Sequence, residues 1–172
     1  ADGVYGKVYF VYALWPEFGF IRLSAWFGLI FDRVERKVMR LMGRRYRKYQ
    51  TSTMVTKLDF FDPVRKGDGW TFYEGRDLAQ EYGNLITAIE NVALVFMRSH
   101  GTLESLSRLF TIPSEVFWHI GYEGDHRAPV VLWMLGRTDE ALEYMERVLE
   151  YGRTHKDPSV PDTANRPLAE YE

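Results

Sequence analysis

Two histidines and two carboxylates crowd into one short stretch as His119, Glu123, Asp125 and His126. Imidazole and carboxylate groups can hold a divalent metal or pass a proton, so a metal-dependent enzyme around His119 and His126 is one function these residue types raise. A metal needs three or four such side chains converging on one point. The spacing does not reproduce the pair of His at i and i+4 with Glu between, which sets both ligands on one helix face. The simpler expectation is a polar loop in which Asp125 caps the next helix and His119 stands beside Trp118. No metal, no cofactor and no catalytic residue is assigned here.

Other chemistries are more weakly supported. The chain has no Cys, which excludes disulfides, thiolate zinc sites and a cysteine nucleophile and leaves the redox compartment open. It contains no G-x-S-x-G, no P-loop and no G-x-G-x-x-G, and Gly67-Asp68-Gly69 lacks both the strand-to-helix setting and the lysine of a phosphate cradle. The carboxylates Asp139, Glu140, Glu143 and Glu146 fall on the outer side of an amphipathic helix, with Glu143 and Arg147 in the favourable i, i+4 order. That pattern reads as a solvated helix face.

Aromatic residues say more. There are 11 Phe, 11 Tyr and 5 Trp, enough apolar area to repay the entropy of folding in a chain of 172 residues. Most fall in regular stripes and belong in a core. Trp70, Phe72, Tyr73, Phe117, Trp118 and Tyr122 lie in short or irregular stretches, and those left exposed would make interface anchors. Trp70, Tyr73, Trp118 and Tyr122, with the acidic Glu123 and Asp125, are the candidate partner-binding residues. Their acidic neighbours suit a basic protein partner, and the sign of the charge disfavours nucleic acid there.

The net charge of −2 conceals a segregation. Residues 1–66 hold 13 Lys and Arg against 6 Asp and Glu, a balance of +7, and residues 67–172 balance at −9. A basic patch is formed by Arg36, Lys37, Arg40, Arg44, Arg45, Arg47 and Lys48, with no acid between Glu35 and Asp59. One account is a nucleic-acid surface. The other is a solvated helix end whose cations favour the negative pole of the helix dipole, and a sequence pI near 6.1 favours it.

The elements that must position these residues divide the chain in two. Lys7 to Leu14, rich in Val, Tyr and Phe, reads as a strand. After Pro16, apolar residues at Phe20, Leu23, Phe27, Ile30, Phe31, Val34, Val38, Leu41 and Met42 keep three-and-four spacing and predict one long amphipathic helix stopped at Gly43. Thr51 to Phe61 and Trp70 to Tyr73 read as strands, most simply a hairpin, so a small antiparallel sheet with the long helix on one face is expected.

The second half reads as helices. Asp77 caps one that ends at His100-Gly101, Thr102 caps a second, and Ser114 caps a short turn. A loop over Tyr122 to Arg127 leads to a helix with Pro129 in its first turn. The last helix, Thr138 to Tyr151, turns Ala141, Leu142, Met145, Val148 and Leu149 inward. The expected class is α+β, with one domain over 1–152 and an extended or disordered tail over 153–172. Val8 to Leu14 is too short for a signal peptide, and the apolar run from Phe18 is broken by Arg22 and ended by Asp32 to Arg36, short of a membrane span. A cytoplasmic location is expected, with oligomeric state open.

The stretch Leu135 to Glu150, with its Leu135-Gly136-Arg137 turn and the small Ala141, resembles the turn and second helix of a tetratricopeptide repeat. No second copy stands at a 34-residue period, so the resemblance implies an isolated helical hairpin. The wider layout resembles small uncharacterised bacterial α+β proteins, some of them immunity proteins to polymorphic toxins. It implies a non-catalytic binder that neutralises a cognate toxin by stoichiometric binding. No functional residue is carried over from it.

Overall fold

A computed structural model describes residues 3–61, 68–111 and 124–154. The chain is α+β. It opens with two 12-residue antiparallel strands, β1 (Val4–Trp15) and β2 (Phe20–Phe31), joined by a 3-10 turn over Pro16–Phe18. Gly19 ends that turn at φ 64°, a left-handed conformation that costs glycine little. The register runs without a bulge from Val4 opposite Phe31 to Trp15 opposite Phe20.

The helix expected over residues 20–42 is therefore two elements: β2, then α1 (Asp32–Leu41). Residues 20–31 are so densely apolar that they carry a period of two as well as a period near 3.6. Ile21, Leu23, Ala25, Phe27, Leu29 and Phe31 alternate on one face, and pairing with β1 selects that period. Gly28 helps to decide the matter. A Cβ there would stand 2.1 Å from the Met54 carbonyl oxygen, so only glycine lets the next strand come so close.

That next strand, β3 (Met54–Lys57), pairs with Trp26–Leu29, and β4 (Trp70–Tyr73) pairs with Phe20–Leu23. Both lie antiparallel along the same edge of β2. The expected hairpin between them is corrected: each takes its hydrogen bonds from β2, and the sequence after Lys57 turns into a 3-10 segment, Leu58–Phe61.

Six α-helices lie among the described residues. After α1 come α2 (Leu78–Ala88), a π-helical turn over Ile89–Ala93 and α3 (Leu94–Ser99), one rod that ends at His100 as the sequence predicted. Asp77 caps it, its Oδ1 accepting from the Ala79 N–H at 2.9 Å. Thr102 caps α4 (Leu103–Thr111) by accepting from the Ser105 N–H at 3.1 Å. The α5 helix (Gly124–Met134) begins before Arg127, so the loop expected there is partly helix, and Pro129 sits inside it rather than in its first turn. Gly136, at φ 76°, turns the chain into α6 (Thr138–Thr154). Ala141 is buried as expected, but Leu142, Met145 and Leu149 are exposed rather than inward. The turn expected at Ser114 and the tail beyond residue 154 lie outside the described residues.

Two apolar clusters hold the layers together. Leu29, Phe31, Val34, Val38 and Met54 meet Leu106, Leu109, Val130 and Val131 from α4 and α5. Ala25, Phe27, Trp70 and Phe72 meet Leu85 and Ala93 from the α2 rod. Every strand residue in these clusters belongs to one face of the sheet.

Between α1 and α5 the core contains an ion pair. Arg127 Nε and Nη2 donate to the two Glu35 carboxylate oxygens at 2.7 and 2.9 Å, with both side chains buried. Burial is the largest single influence on Glu35 and works against its charge, but the Arg127 hydrogen bonds and positive charge, together with the Thr51 and Thr53 hydroxyls, outweigh it and hold the carboxyl below its ordinary range.

Candidate binding surface

The covered face of the sheet is covered over only part of its length. Along it, Val4 and Val8 of β1 pack on the clusters, whereas Phe10, Tyr12 and Leu14 stand in solvent. Register places Leu14 beside Ile21 of β2 and Ile21 beside Phe72 of β4. The Phe72 ring meets Tyr82 of α2 at 4.9 Å between centroids. Tyr82 is the middle of a helical stripe, Leu78, Tyr82 and Ile86, that is exposed along α2. A continuous apolar surface therefore runs from the outer half of β1 over Ile21 to α2, with exposures from 42% at Leu78 to 66% at Tyr12. Phe18 at the hairpin tip, 67% exposed, extends it. Contiguous apolar surface of this kind marks an interaction site.

The rim beside it is mainly acidic. Glu17 lies in the hairpin turn, Glu74 is bonded through its N–H to the Gly19 carbonyl at 2.8 Å, and Asp77 and Glu81 occupy the start of α2. Arg76 stands among them with its guanidinium 4.6 Å from the Tyr73 ring centre. A depression beside β4 is lined by Phe72, Tyr73, Arg76, Leu78 and Glu81. Apolar centre and acidic border together fit a protein surface with an apolar centre and a cationic border.

Of the partner-binding residues expected from the sequence, Tyr73 is exposed and lies beside this surface. Trp70 is corrected: it is completely buried in the second cluster, because its strand position puts it on the covered face next to Leu23. Trp118, Tyr122, Glu123 and the side chain of Asp125 lie outside the described residues, as do His119 and the His126 side chain. Among the described residues no group of three or more His, Asp or Glu is placed to hold a metal ion. The residues that form the apolar surface were missed, although Tyr12, Leu14 and Phe18 stand beside the Pro16 turn where a strand pair leaves the core.

The seven basic residues do not form one helix face. Only Arg36, Lys37 and Arg40 are in α1, and Arg44, Arg45, Arg47 and Lys48 belong to the irregular segment after it. Three are engaged within the chain. Arg36 donates to Asp32 at 3.0 Å, Lys37 lies over the Trp133 ring, and Lys48 lies over the rings of Tyr5 and Tyr49. The Tyr46 hydroxyl also donates to Asp32. That bond, with Arg36, lowers the Asp32 carboxyl against the effect of its burial. Burial, with the same carboxylate beside it, pushes the Tyr46 hydroxyl up to about 12.

Comparison of the chain with protein-family models, with curated proteins and with solved structures found no match. Among the described residues no helix is long and apolar enough to cross a membrane.

Proposed function

We propose that this chain is a non-catalytic protein-binding domain that holds a basic partner on the outer half of its hairpin and the exposed stripe of α2. The observation that carries this is the contiguous exposure of Phe10, Tyr12, Leu14, Ile21, Tyr82 and Ile86 on one continuous surface. Large aromatic and aliphatic side chains held on strands and a helix lose little freedom on binding and serve as anchors. The acidic rim adds encounter rate and partner choice.

Stoichiometric neutralisation of a cognate toxin, the function implied by the resemblance to immunity proteins, is the form of this reading that the acidic rim suits best. Such an inhibitor needs no reacting groups, only a surface that excludes water from the toxin's own. The test is a binding titration with the product of the adjoining gene. The expected result is a one-to-one complex that Leu14→Asp and Tyr82→Asp each weaken by 100-fold or more, on the order of a hot-spot loss, with circular dichroism unchanged. Full affinity in both variants overturns the assignment of the surface. A concentration-dependent dimer abolished by the same two changes assigns it to self-association instead, and failure to protect cells from the adjoining product removes the immunity form.

A further inference from the structure

The opposite face of the sheet supplies none of the strand residues of either core cluster. Its strand positions are Tyr5, Lys7, Tyr9, Val11, Ala13 and Trp15 on β1, the even-numbered residues from Phe20 to Ile30 on β2, Val55 and Lys57 on β3, and Thr71 and Tyr73 on β4. No Asp or Glu occupies any of them. Six are aromatic and three are cations.

The rings and cations are interleaved. Tyr9 and Trp26 lie nearly parallel across the β1–β2 pair, 13° between planes and 6.1 Å between centroids. Lys7 stands over the Tyr9 ring at 5.0 Å and Lys57 over the Trp26 ring at 5.3 Å. At the other end Trp15, Phe20 and Tyr73 form a second group, with ring centroids 5.0 and 5.5 Å apart, and Arg76 lies over Tyr73. Between the two groups stand the exposed Arg22, opposite Ala13, and Val11. From Tyr9 to Trp15 the strand rises about 20 Å.

We propose that this face binds single-stranded nucleic acid, with bases stacking on the Tyr9–Trp26 pair and phosphates meeting Lys7, Lys57 and Arg22. Rings laid on a sheet offer stacking planes that every base can use, and a cation beside each ring meets the backbone that joins the bases. A duplex keeps its base faces stacked on one another, so the rings would have nothing to receive. A lipid surface is bound by an apolar stripe projecting past a charged one, and here the cations sit over the rings themselves. The Tyr9–Trp26 end of this face stands apart from the protein-binding surface, whose rim meets the face at Tyr73 and Arg76.

The test is fluorescence anisotropy of a labelled 12-nucleotide oligo-dT, and of the same length of oligo-U, titrated with the full chain. The expected results are binding at low salt, quenching of Trp fluorescence, and affinity that falls with salt by a log–log slope of about 0.7 for each phosphate neutralised. Trp26→Ala lowers affinity roughly tenfold. If Trp26→Ala fails to fold, the paired change Lys7→Gln with Lys57→Gln must still weaken binding and reduce the salt slope by about one to two. Leu14→Asp, on the other face, leaves oligonucleotide affinity unchanged. No anisotropy change at low salt up to about 100 μM chain, equal binding of a duplex, or binding only to vesicles of anionic lipid overturns the proposal.

Discussion

The two ends of the β1–β2 hairpin are made from the same kinds of residue and meet opposite fates. Toward Phe31 the odd-numbered residues of β2, Ala25, Phe27, Leu29 and Phe31, are buried under helices. Toward the turn, Tyr12, Leu14 and Ile21 continue the same face and stand in solvent. Composition does not separate them, since aromatic and aliphatic residues alternate along both. The difference is which helices reach them. α1, α4 and α5 close over the inner end and the α2 rod lies over β4 and its neighbour, so nothing among the described residues covers β1 beyond Val8. Alternation specifies that a face is to be buried; the helical half of the chain decides how much of it the protein buries for itself.

The largest effects separate the two ends directly. Phe27, with its ring 5.4 Å from that of Phe96 and 5.7 Å from that of Phe61, is completely buried. Phe27→Ala is expected to cost about 3–5 kcal/mol, through lost transfer energy and the cavity left behind. Tyr12→Ala, four residues from Val8 on the same face, is expected to change stability by no more than about 0.5 kcal/mol. Urea denaturation of the two variants measures both. A Tyr12→Ala cost close to that of Phe27→Ala would show that the outer hairpin is packed into the core and would end the comparison.

The inner end also depends on the ion pair behind it. Arg127→Ala leaves the Glu35 carboxylate buried without its bidentate partner, and about 3–5 kcal/mol of destabilisation is expected. Changing both residues to apolar ones of similar size is expected to restore most of that loss, because two buried charges are then removed together. The pair also gives a pH dependence of definite sign. Glu35 titrates below its ordinary 4.5 when folded. Its contribution is therefore fully present above the unfolded value and is lost as pH falls through the folded one. Stability of the wild type measured between pH 7 and pH 3 should fall through that window more steeply than that of the double variant. Parallel curves would show that the pair is not the group responsible.

Most capping and turn signals are legible locally in the sequence, Pro129 inside α5 being an exception, whereas signals that depend on distant partners are not. Asp77 and Thr102 cap helices by reaching residues two or three positions away, and Gly136 turns a chain that has only two helices to join, so each was legible in place. β2 was not, because a run containing Phe20, Leu23, Phe27, Ile30 and Phe31 satisfies a helical stripe as well as it satisfies alternation, and only β1 and β3 choose between them. Trp70 gave the same false signal in reverse. In a four-residue strand it had no periodicity to mark it as core, yet its place beside Leu23 buries it. Glu35 and Arg127 are 92 residues apart, and no spacing rule joins them. The apolar surface was hidden for a related reason: exposure at Tyr12 and Leu14 is a property of where the helices stop.

A smaller effect than those of the core changes is expected at the border of the two regions, where α2 begins. The Asp77 carboxylate satisfies the Ala79 N–H and fixes the first turn, which carries Leu78 at the edge of the exposed stripe. Asp77→Ala should cost about 0.5–2 kcal/mol through that turn, with Tyr82 and Ile86 still held by the continuing rod. Amide exchange in the first turn of α2 should speed up while exchange at Phe27 and Leu29 slows or quickens only with global stability. Partner affinity should then fall less for Asp77→Ala than for Tyr82→Asp, because the cap loosens one anchor and leaves the others in register. If the cap variant instead matches Tyr82→Asp, the binding surface is centred on the N-terminus of α2, and the outer hairpin is only its margin.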